Sequence, residues 1–302
     1  MAFTSPLRYP GGKLRIAGFI QAICDCNDLH NCYIEPFAGG ASIALNLLLY
    51  GTVDKVVLND KDKSIYAFWY SILFHTDELC SLIQNCPIDI DTWHEQKSIQ
   101  NNKEYESLLS LGFSTLYLNR TNRSGILSAG VIGGLRQAGI YKMDCRFNKD
   151  VIIKKISSIA KFKEHIALYN LDAIDLLDLM RAQSNEHNLF YLDPPYYEKG
   201  SCLYMNHYNH SDHERLINYV RAMNTENIKK YCARLRLSYI PNNLEQLIVD
   251  AQNGKPTYQD FLENVLCEET KTREYKAYLN RLRQAKLPPK YDLDKYDFSH
   301  EF

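Results

Sequence analysis

Asp193-Pro194-Pro195-Tyr196 follows directly on an apolar strand, Leu189-Phe190-Tyr191-Leu192, and carries the most specific chemistry in this chain. Open α/β sheets bind their ligands at the carboxyl ends of strands. An exocyclic amine on a planar ring is a poor nucleophile, because its lone pair is delocalised into the ring. The Asp193 carboxylate can accept one N–H of such an amine while a carbonyl held by the stiff Pro194-Pro195 turn accepts the other. That arrangement turns the lone pair toward an incoming methyl group, and Tyr196 supplies an aromatic face for the ring to stack on. Standing alone, the four residues are equally well a proline turn that ends a strand.

Two more strand ends carry candidate groups. Tyr33-Ile34-Glu35 runs into Pro36-Phe37-Ala38-Gly39-Gly40, a glycine turn where backbone can approach a ligand closely. Asp60 closes the strand Lys55-Val56-Val57-Leu58, at the place where dinucleotide-binding sheets grip ribose hydroxyls; a plain turn aspartate also fits. No phosphate loop is present, since Gly12-Lys13 precedes Leu14 and Gly254-Lys255 precedes Pro256. His207, His210 and His213 fit a turn and helix start better than a metal site, with Ser211 and Glu214 as a capping box. No metal is expected. Nine cysteines without a CxxC pair read as reduced thiols of a cytoplasmic protein.

The elements that must position these groups begin as strand, helix, strand, helix. Strands are expected at about 33–36, 55–58, 166–170 and 189–192, and helices at 41–50 and 63–74. This alternation is the signature of a doubly wound α/β fold with a parallel sheet. It stops between residues 75 and 163, where helical stretches at 77–84 and 103–118 give way to a loop region with five glycines from Gly125 to Gly139. Residues 75–163 therefore read as an inserted, mainly helical domain between core segments 1–74 and 164–222. From Met223 to Phe302 the pattern is helix alone: Asn242 caps one amphipathic helix, and Thr257 caps another that runs to about Lys286 before Pro288-Pro289.

Composition bounds the class. With 302 residues, 45% hydrophobic and 24% charged, the chain is of ordinary globular make-up and long enough for a full core. No apolar run reaches the roughly 18–20 residues of a membrane span, and residues 1–13 have no signal-peptide core. The net charge of −1 hides an island: ten Lys and Arg between Asn119 and Lys163 face only Asp144 and Asp150. Such an island is either a polyanion-binding surface or a solvated face.

Together these motifs form a resemblance. Leu7-Arg8-Tyr9-Pro10-Gly11-Gly12-Lys13, Glu35-Pro36-Phe37-Ala38-Gly39-Gly40, Asn59-Asp60, Tyr117-Leu118-Asn119-Arg120-Thr121 and Asp193-Pro194-Pro195-Tyr196 resemble, in this order, the Dam-type (D12 class) adenine-N6 DNA methyltransferases over residues 1–222. The resemblance implies a Rossmann-like methyltransferase core with a DNA-recognition insert, S-adenosyl-L-methionine as methyl donor, no metal, and double-stranded DNA as substrate. It also implies a restriction enzyme as counterpart. By resemblance Tyr9, Lys13, Phe37, Gly39, Asp60 and Asp193 hold the donor, with Tyr9 standing where many members have Trp. Asp193, Pro194, Pro195 and Tyr196 form the catalytic group. Asn119, Arg120, Thr121, Arg123 and Ser124, with Lys142, lie on the DNA, which tips the basic island toward phosphate binding. The glycine turn reads FAGGA rather than the FxGxG of some members, which leaves the turn intact.

Past residue 222 the resemblance changes. Met223 to Tyr231, Leu235 to Ile240, Tyr258 to Leu262 and Ala285 to Pro288 resemble the N-terminal region of IstB-type transposition helper ATPases, which ends before any nucleotide loop. The join implies a methyltransferase gene interrupted by an insertion element, its sheet shortened at the C-terminal side and the Leu189–Leu192 strand left as an edge. Three other readings stand beside the methyltransferase. A DNA-binding remnant would keep the basic insert without catalysis. An amine methylase for protein glutamine or RNA is disfavoured by the span from Gly39 to Asp193, roughly twice what a bare run of strands and helices needs. A transposition partner could also dock on the tail.

Overall fold

The computed structural model describes residues 5–8, 13–183, 187–195 and 208–284. Four strands form a wholly parallel sheet: β1 (Cys32–Glu35), β2 (Lys55–Asn59), β3 (Ile166–Tyr169) and β4 (Asn188–Phe190), in the order β3-β2-β1-β4. β1 is central. Its Tyr33 and Ile34 lie opposite Val56 and Val57 on one side and opposite Leu189 and Phe190 on the other. All four expected strands are found within one or two residues of their expected bounds, and β4 is an edge among the described residues.

Alternation along each strand divides the core. Tyr33, Val56, Leu58 and Ile166 face a large cluster, while Ile34 and Val57 face a small one completed by Leu176 and Met180. The small cluster belongs to α8 (Ala173–Gln183), the helix that crosses from β3 to β4. The large one is built by α1 (Ala17–Asn27), α2 (Ser42–Leu49), α3 (Lys63–Phe74), α4 (Thr76–Asn85), α5 (Ile90–Asn101), α6 (Leu108–Thr121) and α7 (Lys149–Ala160).

The helices between β2 and β3 share the core of the sheet. α6 approaches α3 so closely that a Cβ on Gly112 would lie 2.3 Å from Ser71 Oγ and 2.5 Å from the Ala67 carbonyl. A buried polar chain ties α5 to both: Ser64 Oγ donates to Gln100 Oε1 (2.9 Å), and Gln100 Nε2 donates to Ser114 Oγ (3.2 Å) and Thr115 Oγ1 (3.0 Å). Helix α5 was not expected from the sequence, although Asp89 caps it by accepting the Thr92 N–H at 2.8 Å.

The chain separates into two compact units, residues 1–214 and 215–302, and the division falls within α9 (His210–Arg234). The cap of α9 differs from the expected Ser211–Glu214 box. Asn209 and Asp212 make the reciprocal pair instead, Asp212 N to Asn209 Oδ1 and Asn209 N to Asp212 Oδ2, each 3.0 Å. His210 pairs with Glu214 at 3.4 Å, and His207 lies outside the described residues.

The second unit continues with α10 (Tyr239–Gly254) and α11 (Tyr258–Gln284). Asn242 does not cap α10, because the helix starts three residues earlier and the Asn242 amide donates back to the Ser238 carbonyl. The cap comes from α11. Glu269, 3% exposed, accepts the N–H groups of Ser238 and Tyr239 at 2.7 Å and of Ile240 at 3.1 Å. Those bonds, with Arg273 beside it, hold its carboxyl below the ordinary range although burial pushes the other way. Thr257 caps α11 as expected, its Oγ1 accepting the Asp260 N–H at 3.2 Å.

Candidate active site

Three neighbouring strands end at the same edge of the sheet, and each delivers a carboxylate there: Glu35 from β1, Asp60 just beyond β2 and Asp193 beyond β4. The chain leaving β4 stays on β1 for one more residue. Tyr191 N donates to the Ile34 carbonyl at 2.9 Å, and the Tyr191 ring stacks on Tyr33 at 6.0 Å. Asp193 follows, half-buried, with its two oxygens 2.6 and 2.5 Å from Lys13 Nζ. Pro194 and Pro195 come next and are also half-buried. Tyr9 and Tyr196 lie outside the described residues.

The glycine turn between β1 and α2 closes against β2. Gly39 adopts φ +46°, its N–H donates to Asp60 Oδ2 at 2.9 Å, and its carbonyl accepts Trp69 Nε1 at 2.9 Å. Asp60 Oδ1 takes the Asp62 N–H at 2.9 Å. Burial, helped by the charge of Asp62, pushes the Asp60 carboxyl up to about 7, although the N–H groups of Asp62 and Gly39 oppose the shift. Beside it, Asn59 braces the turn by donating to the Pro36 and Leu171 carbonyls at 2.9 and 3.1 Å. Phe37 meets Tyr208 edge to face at 5.3 Å.

Glu35 was quoted within a motif but given no role. It is buried and held well above the ordinary carboxylate range, first by desolvation and then by Asp193 and Asp60; Lys13 and the Ala44 N–H act against the shift. Its position at a strand end immediately before the glycine turn was the available signal.

The second expected surface is divided between inside and outside. Asn119 and Thr121 do not lie on it, because α6 buries them. Asn119 Oδ1 accepts the Arg8 N–H at 2.7 Å, and its Nδ2 donates to the carbonyls of Arg8 and Gly125 at 2.9 and 2.8 Å. Thr121 Oγ1 donates to the Tyr117 carbonyl. Neighbouring Asn122 accepts from Trp93 Nε1 at 2.7 Å and donates to the carbonyls of Ile126 and Leu127. Arg120 is partly buried and donates to the Pro6 carbonyl. Gly125, at φ +75°, passes so near Arg8 that a Cβ would sit 2.3 Å from its carbonyl oxygen. Asn119, Arg120 and Gly125 thus clamp Pro6 and Arg8, which precede Lys13. Arg123, Ser124 and Lys142 are exposed on the outer side of the same loops.

Cations gather here. Arg120 is pushed down to about 10 by burial and by Arg8; Arg8 is lowered by burial and by Arg146, and Lys155 by burial and by Arg120. Mutual repulsion of this kind is relieved by a bound anion.

The family model of the D12 class N6 adenine-specific DNA methyltransferases matches residues 9–275, past the 1–222 of the sequence resemblance and into the second unit. An IS21-like insertion-sequence ATP-binding protein of Bacteroides fragilis (strain YCH46) is 44% identical over 69 residues, which are 22% of this chain and 35% of that protein. A second such protein of Bacteroides fragilis is 41% identical over 69 residues, 23% of this chain and 26% of its own length. The chain therefore spans about a third and about a quarter of these two relatives. Among the described residues no helix is long and apolar enough to cross a membrane.

Proposed function

This chain belongs to the D12 class N6 adenine-specific DNA methyltransferases, and we propose that it moves the methyl group of S-adenosyl-L-methionine to N6 of adenine in double-stranded DNA. The observation that carries the reading is the convergence of Lys13, Asp60 and Asp193 on one sheet edge beside the glycine turn.

The donor set fits such a substrate. Each Asp60 oxygen already accepts one backbone N–H, from Gly39 or Asp62, and keeps a lone pair for a ribose hydroxyl. Lys13 supplies an ammonium for the carboxylate of the amino-acid end, and Phe37 an aromatic edge beside the turn. Bound there, the donor presents a sulfonium methyl.

Asp193 accepts one N6–H of an adenine turned out of the helix, and a carbonyl of the Pro194-Pro195 turn accepts the other. The donor would supply the methyl group, and attack by the N6 lone pair would form the C–N bond as the C–S bond breaks with its electron pair kept by sulfur. The methylated nitrogen releases one proton, with Asp193 as the nearest acceptor. Tyr196 stacks on the base. Arg123, Ser124 and Lys142 meet the phosphate backbone, while Asn119 ties the loop to α6 through the Gly125 carbonyl.

The test is transfer of labelled methyl to unmethylated duplex DNA followed by digestion to nucleosides. Label in N6-methyladenine is expected, and label in RNA or protein alone would refute the assignment. One observation favours a second reading. β4, the strand before Asp193, is three residues long and at the edge of the sheet among the described residues. A remnant that binds DNA without methylating it would give salt-dependent affinity and no label. On this reading the 215–302 unit is the product of a fusion, and its candidate partner is a transposition protein.

A further inference from the structure

Three carboxylates and one ammonium share the strand-end site, so Glu35, Asp60, Asp193 and Lys13, when ionised, leave two negative charges uncompensated. Asp193 is taken by Lys13, and Asp60 by two backbone N–H groups. Glu35 is different. Only 6% of it is exposed; the Ala44 N–H serves it, and its Oε2 is buried with no hydrogen-bond partner among the described residues. Tyr33, two residues earlier on the same strand face, does not serve it, since its own buried hydroxyl is also without a partner. A buried acceptor left open in this way calls for a functional explanation. Burial and the charges of Asp193 and Asp60 all make the ionised form of Glu35 costly, and a cation in the site lowers that cost.

The methyl donor and its spent product differ by one positive charge. The donor carries a sulfonium, an ammonium and a carboxylate; loss of the methyl turns the sulfonium into a neutral thioether. We propose that Glu35 is the residue by which this site distinguishes the charged donor from the thioether product. The inference rests on the donor-site reading above and names a specificity residue within it. Asp60 and Asp193 are engaged with the ribose and the reacting amine, whereas Glu35 touches neither and acts through the field it places across the site. Because the discrimination is electrostatic, it survives replacement by another acid and is lost with the charge.

Titration calorimetry on the full chain, with S-adenosylmethionine and S-adenosylhomocysteine as separate ligands, tests this. The wild type is expected to bind the donor about tenfold more tightly than the product, the effect of one charge roughly 10 Å from another at an effective dielectric of about 20. Glu35→Gln should weaken the donor by about that factor and the product by less than about twofold, while Glu35→Asp keeps most of the difference. Equal weakening of both ligands in a folded Glu35→Gln protein would mark a structural role and overturn the inference. A wild type that binds the product as tightly as the donor overturns it whatever the variants do, including variants that fail to fold. Binding of neither ligand by the folded wild type refutes the donor-site reading, and the inference with it.

Discussion

The strand-end site and the turn that ends α6 both set polar side chains among backbone N–H and C=O groups, acids at the first and amides at the second, and they dispose of them in opposite ways. At the loop every amide is used internally: Asn119 bonds three backbone groups, and Asn122 bonds two carbonyls and an indole. At the strand ends the polar capacity exceeds what the protein consumes, with Asp60 keeping lone pairs, Lys13 and Asp193 half-exposed, and Glu35 Oε2 open. The difference teaches which part of a motif meets a ligand. Asn119 and Thr121 are buried among their partners while Arg123 and Lys142 are exposed, so on the proposed reading the exposed cations are the contact surface. At the strand ends the side chains of Asp60 and Asp193 are themselves the proposed contact groups, with Glu35 buried beside them.

Substitutions on the two sides should therefore fail differently. The largest effect is expected from Asp193→Ala, which removes the acceptor for N6–H: kcat/KM for methyl transfer should fall by at least about 10³-fold while DNA affinity changes by less than about twofold. A loss of DNA binding of similar size would erase the distinction between the regions. Next comes Asn119→Ala, which strands the Arg8 N–H and two buried carbonyls. It should cost about 2–3 kcal/mol of stability, read as a lower denaturant midpoint. A midpoint within error of the wild type would place Asn119 on the ligand side after all.

Exposed cations should give the converse pattern. Lys142→Ala is expected to leave the midpoint within about 0.5 kcal/mol, weaken DNA binding across sequences alike, and reduce the slope of log affinity against log salt by about 1. An unchanged salt slope removes Lys142 from the phosphate surface. A further effect concerns pH. Asp60, raised from 3.8 to about 7, binds its proton more tightly in the folded chain than in the unfolded one. Its contribution to stability is complete below about pH 3.8 and gone once the pH rises through about 7. Glu35 acts with the same sign, so Asp60→Asn should flatten part of the fall in melting temperature across that window. An undiminished fall would mean that Asp60 is not the group responsible.

Much of the scaffold was legible in the sequence because it is local. α3 occupies the expected Lys63–Phe74, since its apolar period and its Asp62 cap lie within one stretch of chain. The strands were legible for the same reason. What escaped depends on residues far apart in sequence. No local pattern reveals that Glu269 caps α10 from 30 residues away, or that Asn119 reaches back 111 residues to Arg8. The helical pattern of α5 is nearly flat, with Trp93 among polar residues, and its burial comes from α6. Within the site, the motifs named the acids, but only the strand order explains why Glu35, Asp60 and Asp193 meet: β1 lies between the strands that end at the other two.

The central claim, that the strand-end site performs methyl transfer in this chain, is tested most directly by a single-turnover experiment. Folded wild type and Asp193→Ala would be incubated with labelled S-adenosylmethionine and unmethylated duplex, with DNA binding measured on the same samples. The account predicts N6-methyladenine with the wild type, none with the variant, and comparable DNA affinity for both. A folded wild type that binds the duplex and transfers no methyl would contradict it.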